Sequence, residues 1–338
     1  LFLPWVVSES TPPVQVQLHA SNGQIDAREP KEGGALQGHM TRLLEMQGLA
    51  QADALQTHAR ANADCWQNRL DQEVGCCPPP LHPRPLSKEA STLPSPEAAG
   101  FVAGRIQYWK GPTVLCEAQA RLGNKAPRID WAGRDTEYQA VGQSMSDYLA
   151  DAFPGVWGES IRPIGEISPE DVALRQRAAE FVVVPSLWDV FNYTAAEAMR
   201  EGSVVICSDG AGACDVIEDG RNGFVVPADD AGALAEKIGA VCALRAEERK
   251  RVGRAGRDTV QQELAPQNVA RRRMETYEGL RERDEANPDT RWLEEAVRPN
   301  GKFEIRGGRP LAVLDRLPLR KMVRYVARRT WKKVTTSQ

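Results

Sequence analysis

Two carboxylates, Asp189 and Glu197, stand eight positions apart between two apolar runs, Phe181–Pro185 and Val204–Ser208. Glu197 falls one turn into a helix expected to start near Tyr193, where it could reach a vicinal diol such as a ribose. Asp189 lies before that helix and could accept from sugar hydroxyls. The backbone amides of residues 192–194 would point outward at the helix N-terminus, a position that favours an anion. The same spacing also fits a plainer arrangement, with Asp189 capping the helix and Glu197 in an ion pair. Arg105 and Lys110 form a second pair, after the apolar run Gly100–Ala103. An Arg offers planar bidentate contact and a Lys a point charge, so the two could clamp a diphosphate; two surface cations in a turn would read alike. A third loop, Asp209 to Ala213 with Asp215 beyond it, is rich in small residues that let backbone approach a ligand or form a tight turn.

The elements that must hold these groups follow a regular alternation. Strands are expected at 100–103, 128–132, 161–164, 181–185, 204–208 and 224–227. Helices are expected at 111–122, 137–153, 169–179, 193–201, 212–218 and 229–244, the third opened by Ser168 and Pro169 as cap and first helical residue. Strands alternating with helices imply crossovers and a parallel sheet covered on both faces. The runs FVVV and SVVIC do not alternate, as expected of strands buried on both sides. In such a sheet, ligands lie beyond the carboxyl ends of the strands at the switch point, which is where Arg105, Lys110 and Asp189 fall.

Before residue 100 the pattern is sparser. Residues 14–19 and 52–55 read as short strands, and 41–49 and 59–70 as helices. Cys77 to Ala99 holds seven prolines and reads as a linker, because Pro lacks the backbone donor and clashes with a preceding helical turn. Beyond residue 244, residues 247–283 are charged and read as helical, 284–309 as polar and irregular, and 319–334 as helical.

From Gly100 to about Tyr277 the sequence resembles the carboxyl-terminal domain of family-4 GT-B retaining glycosyltransferases. The matching pieces are FVAGRIQYWKGPTVLCEAQARLG, PSLWDVFNYTAAEAMREGSVVICSDGAGACDVIEDGRNGFVVPADDAGALAEKI and RAGRDTVQQELAPQNVARRRMETYE, in that order. The resemblance implies a doubly wound, Rossmann-like parallel sheet in that domain, and transfer of a sugar from a nucleotide-diphosphate donor to a glycan or glycolipid acceptor with retention. It implies that Arg105 and Lys110 hold the donor pyrophosphate and stabilise the departing nucleoside diphosphate, with no metal or other cofactor. Asp189 would touch the donor sugar and Glu197 the ribose. Gly104, Phe191, Asn192, Tyr193 and Thr194 would complete the donor site.

Three residues depart from the family pattern: Asp189 in place of Glu, Asn192 in place of Gly, and Asp215 in place of Glu. They bear on the donor sugar more than on the fold. At the amino end, VQVQLHASNGQI resembles a mid-domain strand and the site histidine that follows it, here His19. A packing histidine at a strand end fits His19 equally well. About half of a second Rossmann-like domain would precede Leu1, so a truncated sequence is expected. The expected organisation is a partial amino-terminal domain over 1–77, a linker over 78–98, a nucleotide-sugar domain over 99–265, a crossover helix over 266–283 and a polar extension over 284–338. A non-catalytic nucleotide-sugar-binding protein and a sugar-nucleotide epimerase are the rival readings.

Composition sets the outer bounds. A 41% hydrophobic and 26% charged chain of 338 residues is ordinary for about two globular domains. No run is long and apolar enough to cross a membrane. The seven cysteines are scattered without metal-ligand spacing, as expected of reduced thiols in the cytoplasm. The net charge is −3, but residues 319–338 carry +7, leaving −10 for the rest. Leu319, Met322, Val323, Val326, Trp331 and Val334 recur at helical spacing among those cations. A cationic amphipathic segment over 318–338 points to an anionic membrane surface, on the inner face, and not to nucleic acid. A helix docked on the acidic body is the alternative.

Overall fold

The computed structural model describes residues 15–21, 24–25, 45, 49, 52–70, 73–84 and 98–281. The expected helix at 41–49 (apart from isolated positions), residues 85–97 of the linker, the stretch 284–309 and the basic segment 318–338 lie outside the described residues. The chain divides into two compact units, one of Leu1–Gln56, Cys65–Gly75 and Glu275–Gln338, the other of Thr57–Asp64 and Cys76–Met274. These boundaries differ from the sequence-based ones: residues 76–84 and most of the helix after residue 265 go with the nucleotide-side unit.

In the first unit, β1 (Gln15–Leu18), β2 (Ala54–Thr57) and β3 (Val74–Cys76) form a three-stranded sheet in that order. Leu55, Trp66 and Val74 are buried there; Trp66 lies on α1 (Arg60–Leu70). His19 follows β1 and is exposed.

The second unit is built on six parallel strands: β4 (Gly100–Ala103), β5 (Ile129–Ala132), β8 (Ile161–Gly165), β9 (Phe181–Val184), β10 (Val205–Ser208) and β11 (Phe224–Val226). Their spatial order is β11-β10-β9-β4-β5-β8. The chain runs outward from β4 to β8, then returns to lay β9 on the other side of β4. The switch point therefore lies between β4 and β9, where the loops carrying Arg105, Lys110 and Asp189 emerge.

Alternation along the strands splits the core into two layers. Phe181 and Val183 pack with Leu115 of α2 (Pro112–Leu122) and Ile238 of α6 (Ala231–Cys242). Val182 and Val184 pack with Ala196 and Met199 of α5 (Tyr193–Glu201) and Val260 of α7 (Ala246–Glu263). Both faces need apolar residues, which is why FVVV shows no polar position. Burial of each such side chain contributes about 1.5–3 kcal/mol.

Helix ends follow the expected chemistry. Ser168 Oγ accepts from the Asp171 amide at 3.0 Å to open α4 (Pro169–Ala178). Gly202 closes α5 in the left-handed conformation.

The helix expected at 137–153 is corrected, and the one expected at 212–218 is a short 3-10 helix, Gly212–Val216. Residues 137–153 form a short antiparallel hairpin, β6 (Glu137–Tyr138) with β7 (Gln143–Ser144), and only then α3 (Met145–Ala152). The turn closes because the Val141 and Gly142 amides donate to the Tyr138 carbonyl, and Ser144 is needed as the cap of α3. Tyr138 also packs between Tyr108 and Tyr148. After α7 ends, Pro266 opens α8 (Pro266–Arg281), in keeping with the separate helix expected from residue 266.

Candidate active site at the switch point

Arg105 leaves β4 on a fixed backbone. The Gly104 amide donates to the Ala132 carbonyl at 2.9 Å and the Ile106 amide to the Arg134 carbonyl at 2.9 Å. Trp131 Nε1 donates to the Gly104 carbonyl at 2.8 Å. Pairing thus continues past the ends of β4 and β5, and the Arg105 side chain is left exposed on a rigid stem.

A cleft of about 550 Å³ opens there, within the usual range for small-ligand pockets. Gly104, Arg105, Thr194 and Glu197 line it together. Four of the expected site residues, drawn from the loop after β4 and from the start of α5 some 90 positions later, therefore meet on one surface. Glu197 is half-buried, and burial pushes its carboxyl above the ordinary range against the pull of Arg200 and Arg84. Its carboxylate is in no ion pair with another described residue, so the structural-pair alternative is not realised. The cleft carries Arg84, Arg105, Arg134 and Arg200 against Glu166 and Glu197. That excess of guanidinium suits a polyanion such as a diphosphate.

Lys110, Asp189, Phe191, Asn192 and Tyr193 are not on the cleft lining. Lys110 Nζ instead donates to the Asp189 carboxylate. Asn192 Nδ2 donates to the same Asp189 oxygen at 3.1 Å and to Ser186 Oγ at 3.3 Å. Its Oδ1 accepts from the Ala195 amide at 3.3 Å, so Asn192, not Asp189, caps α5. Asn192 has φ 70°, a left-handed conformation that a short polar side chain tolerates and most others do not. Here the backbone explains why a residue other than Gly at this position must be one like Asn. Phe191 is buried, and Tyr193 is exposed.

The two loops are sewn together. The Leu187 amide donates to the Trp109 carbonyl at 2.9 Å. Gly111 has φ 73°, and a Cβ there would fall 1.8 Å from the Pro185 carbonyl oxygen. On the far side, the Asp189 amide donates to the Gly210 carbonyl and the Gly212 amide to the Asp189 carbonyl. The small residues of 209–213 thus serve close backbone packing.

Arg84, Arg134, Glu166 and Arg200 were not singled out from the sequence. Arg134 and Glu166 follow the ends of β5 and β8, so the rule that ligands gather at strand carboxyl ends would have found them. Arg84 lies in the Pro-rich stretch and carried no such signal. It is held by Nη1 donating to the Pro169 carbonyl at 3.2 Å, while the nearby Leu81 amide donates to the Leu264 carbonyl at 2.8 Å. Among the described residues no three His, Cys, Asp or Glu side chains are grouped to hold a metal, and no helix is long and apolar enough to cross a membrane. All seven cysteines are free thiols.

The chain is similar to several curated proteins. It is 32% identical over 149 residues to a D-inositol 3-phosphate glycosyltransferase of Nocardioides sp., covering 41% of this chain and 32% of that protein. It is 29% identical over 214 residues to the Streptomyces avermitilis protein of the same name, covering 57% of this chain and 45% of that one. The matched segments thus span less than half the length of these relatives. Among solved structures it resembles a sucrose-phosphate synthase from Thermosynechococcus elongatus, with TM-score 0.61 and 22% identity over 79% of this chain and 67% of that chain. Anabaena Alr3699/HepE, solved in complex with UDP, gives TM-score 0.61 and 16% identity over 79% of this chain and 72% of that chain. These neighbours share the GT-B fold, and the parallel sheet described above is its Rossmann-like layer. The sequence profile of "Glycosyl transferases group 1" matches residues 84–259, just over half of the chain and nearly all of the unit that holds the cleft. The chain belongs to the group 1 glycosyl transferase family.

Proposed function

We propose that the protein transfers a hexosyl unit from a nucleotide-diphosphate sugar to a hydroxyl of a glycan or glycolipid acceptor, with retention at the anomeric carbon. The observation that carries this is the meeting of Arg105 and Glu197 in one cleft, a guanidinium for the diphosphate and a carboxylate for the ribose. Gly104 leaves room for the phosphates beside the Arg105 stem, and Thr194 adds a polar group at the start of α5. The Lys110–Asp189–Asn192 cluster sits at the sugar end, where Asp189 accepts from sugar hydroxyls and Lys110 offsets phosphate charge.

In the transfer step the bond from the anomeric carbon to the β-phosphate oxygen breaks, and its electron pair leaves with the nucleoside diphosphate. The acceptor hydroxyl adds from the same face, and its proton passes to a departing phosphate oxygen. Arg105 and Lys110 supply the positive field that stabilises the leaving group, so no metal is assigned a step. His19, at the end of β1, is proposed for the reacting-sugar side. The cationic segment 318–338 is proposed to bind an anionic membrane surface, checked by liposome co-sedimentation with and without it.

The test is a screen of nucleoside-diphosphate sugars against the whole protein, followed by determination of the anomeric configuration of the product. Transfer with retention is expected. Nucleoside-diphosphate binding with neither transfer nor donor hydrolysis would replace this reading with a non-catalytic binding protein, and release of an epimerised nucleotide sugar would replace it with an epimerase.

A further inference from the structure

A second cavity, of about 310 Å³, shares Arg84 and Arg200 with the cleft and adds Arg257 of α7. Leu81 and Pro83, from the pinned segment before Arg84, form part of its wall. Gln261 and Gln267 stand exposed at its rim. All of these residues lie in the same compact unit.

Three guanidiniums converge there because each ties down a piece of backbone. Arg257 donates Nε to the Arg200 carbonyl at 2.9 Å and Nη2 to the Glu201 carbonyl at 2.6 Å, closing the last turn of α5. Arg200 donates Nη1 to the His82 carbonyl at 3.1 Å. Arg84 donates to the Pro169 carbonyl. Carbonyls orient these groups but do not neutralise them. Neither Arg84 nor Arg257 has a carboxylate at ion-pair distance among the described residues. Arg200 has Glu201 at 3.2 Å, and Arg177 claims the same carboxylate at 2.5 Å.

The cavity therefore holds more positive charge than its own residues answer. A partly buried cation in that state calls for an anion. Each guanidinium also carries more N–H donors than these bonds use, in the forked geometry that matches a phosphate. The helix α8 opens at Pro266 on the same wall, so the positive end of its dipole adds to the field.

We propose that this cavity is a second anion site, which binds the phosphate of a small phosphorylated metabolite and is separate from the nucleotide-sugar cleft. At 310 Å³ it lies at the small end of ligand pockets, which suits a phosphate monoester of a few carbons. Because Arg84 and Arg200 line both spaces, an anion in one weakens the hold on an anion in the other.

Calorimetric titration of the whole protein with inorganic phosphate and with glycerol phosphate tests the site. The double variant Gln261→Glu/Gln267→Glu puts two carboxylates at the rim, on exposed helical positions that leave the fold intact. It is expected to bind both probes about tenfold more weakly than the unaltered protein. Arg105→Gln, which alters the cleft alone, is expected to keep the binding that the double variant weakens, apart from any phosphate the cleft itself takes up, with glycerol phosphate at least as tight as inorganic phosphate. Undiminished binding by the double variant, loss of binding in Arg105→Gln, or no binding by the unaltered protein overturns the assignment. Binding of inorganic phosphate alone overturns the monoester class. None of these readouts needs sugar transfer, so they stand apart from the outcome of the donor screen.

Discussion

Lys110 and Asp189, 79 positions apart in the chain, are bonded ammonium to carboxylate. Each side chain is only about a fifth exposed, at 20% and 21%. Removing one partner leaves the other charge poorly solvated and unanswered. We expect Asp189→Ala to remain folded but to lose about 1–3 kcal/mol of stability in urea denaturation. A double-mutant cycle with Lys110→Ala should show a coupling of about 0.5–3 kcal/mol; strict additivity would remove the pair from the account. In the proposed transfer, Asp189→Ala and Arg105→Ala each lower turnover by about a hundredfold or more. Full activity of either would refute its role.

Glu197 gives a pH signature. Burial raises its carboxyl above the ordinary range, so the folded protein holds that proton more tightly than the unfolded chain does. The stability owed to this group is therefore fully present below the unfolded value and is lost as pH rises through the higher folded one. Glu197→Gln should leave the melting temperature at neutral pH unchanged or slightly raised, and a clear drop would contradict this. Accepting from ribose hydroxyls needs the ionised form. Nucleoside-diphosphate affinity of the unaltered protein should thus begin to weaken on acidification above the ordinary carboxylate range.

Asn192 separates backbone demand from side-chain work. Asn192→Gly keeps the left-handed φ available but deletes the bonds to Ala195, Ser186 and Asp189. Asn192→Ala loses the same bonds and is strained as well. Urea denaturation should rank them with Ala less stable than Gly by about 1 kcal/mol or more. In steady-state kinetics, Asn192→Gly should act through the Asp189 carboxylate, which then keeps only Lys110, lowering kcat more than it raises KM.

The Glu201 side chain is 2% exposed and answers both Arg177 and Arg200. Glu201→Ala leaves two guanidiniums without a carboxylate beneath α5. The expected cost is about 3–5 kcal/mol, read by urea denaturation. A cost under 1 kcal/mol would show that the two guanidiniums do not depend on this carboxylate.

The sheet was legible because its strands are buried on both faces: FVVV and VVIC hold no polar residue, and Ser168, Pro169 and Gly202 mark helix ends in the chain itself. The strand-end rule led to Arg105 and to the helix that follows β9, and Glu197 lies one turn into that helix. What stayed hidden depends on side chains from distant loops. Nothing in the local sequence of Lys110 announces Asp189, and Arg84 reads as one charge in a Pro-rich stretch. The hairpin at 137–144 was missed because its residues have ordinary helical character, while its closing bonds are made by backbone and by a cap that only the folded chain reveals.

The seam between the Trp109 carbonyl and the Leu187 amide, with Gly111 pressed on Pro185, limits how this site can diversify. An inserted or deleted residue in either loop would unstitch both, carrying Lys110 and Asp189 out of register together. Loop length is therefore closed as a route to change. What remains open is the choice of side chain at a few positions on a frame of constant dimensions, and Asp189 and Asn192 are two such choices.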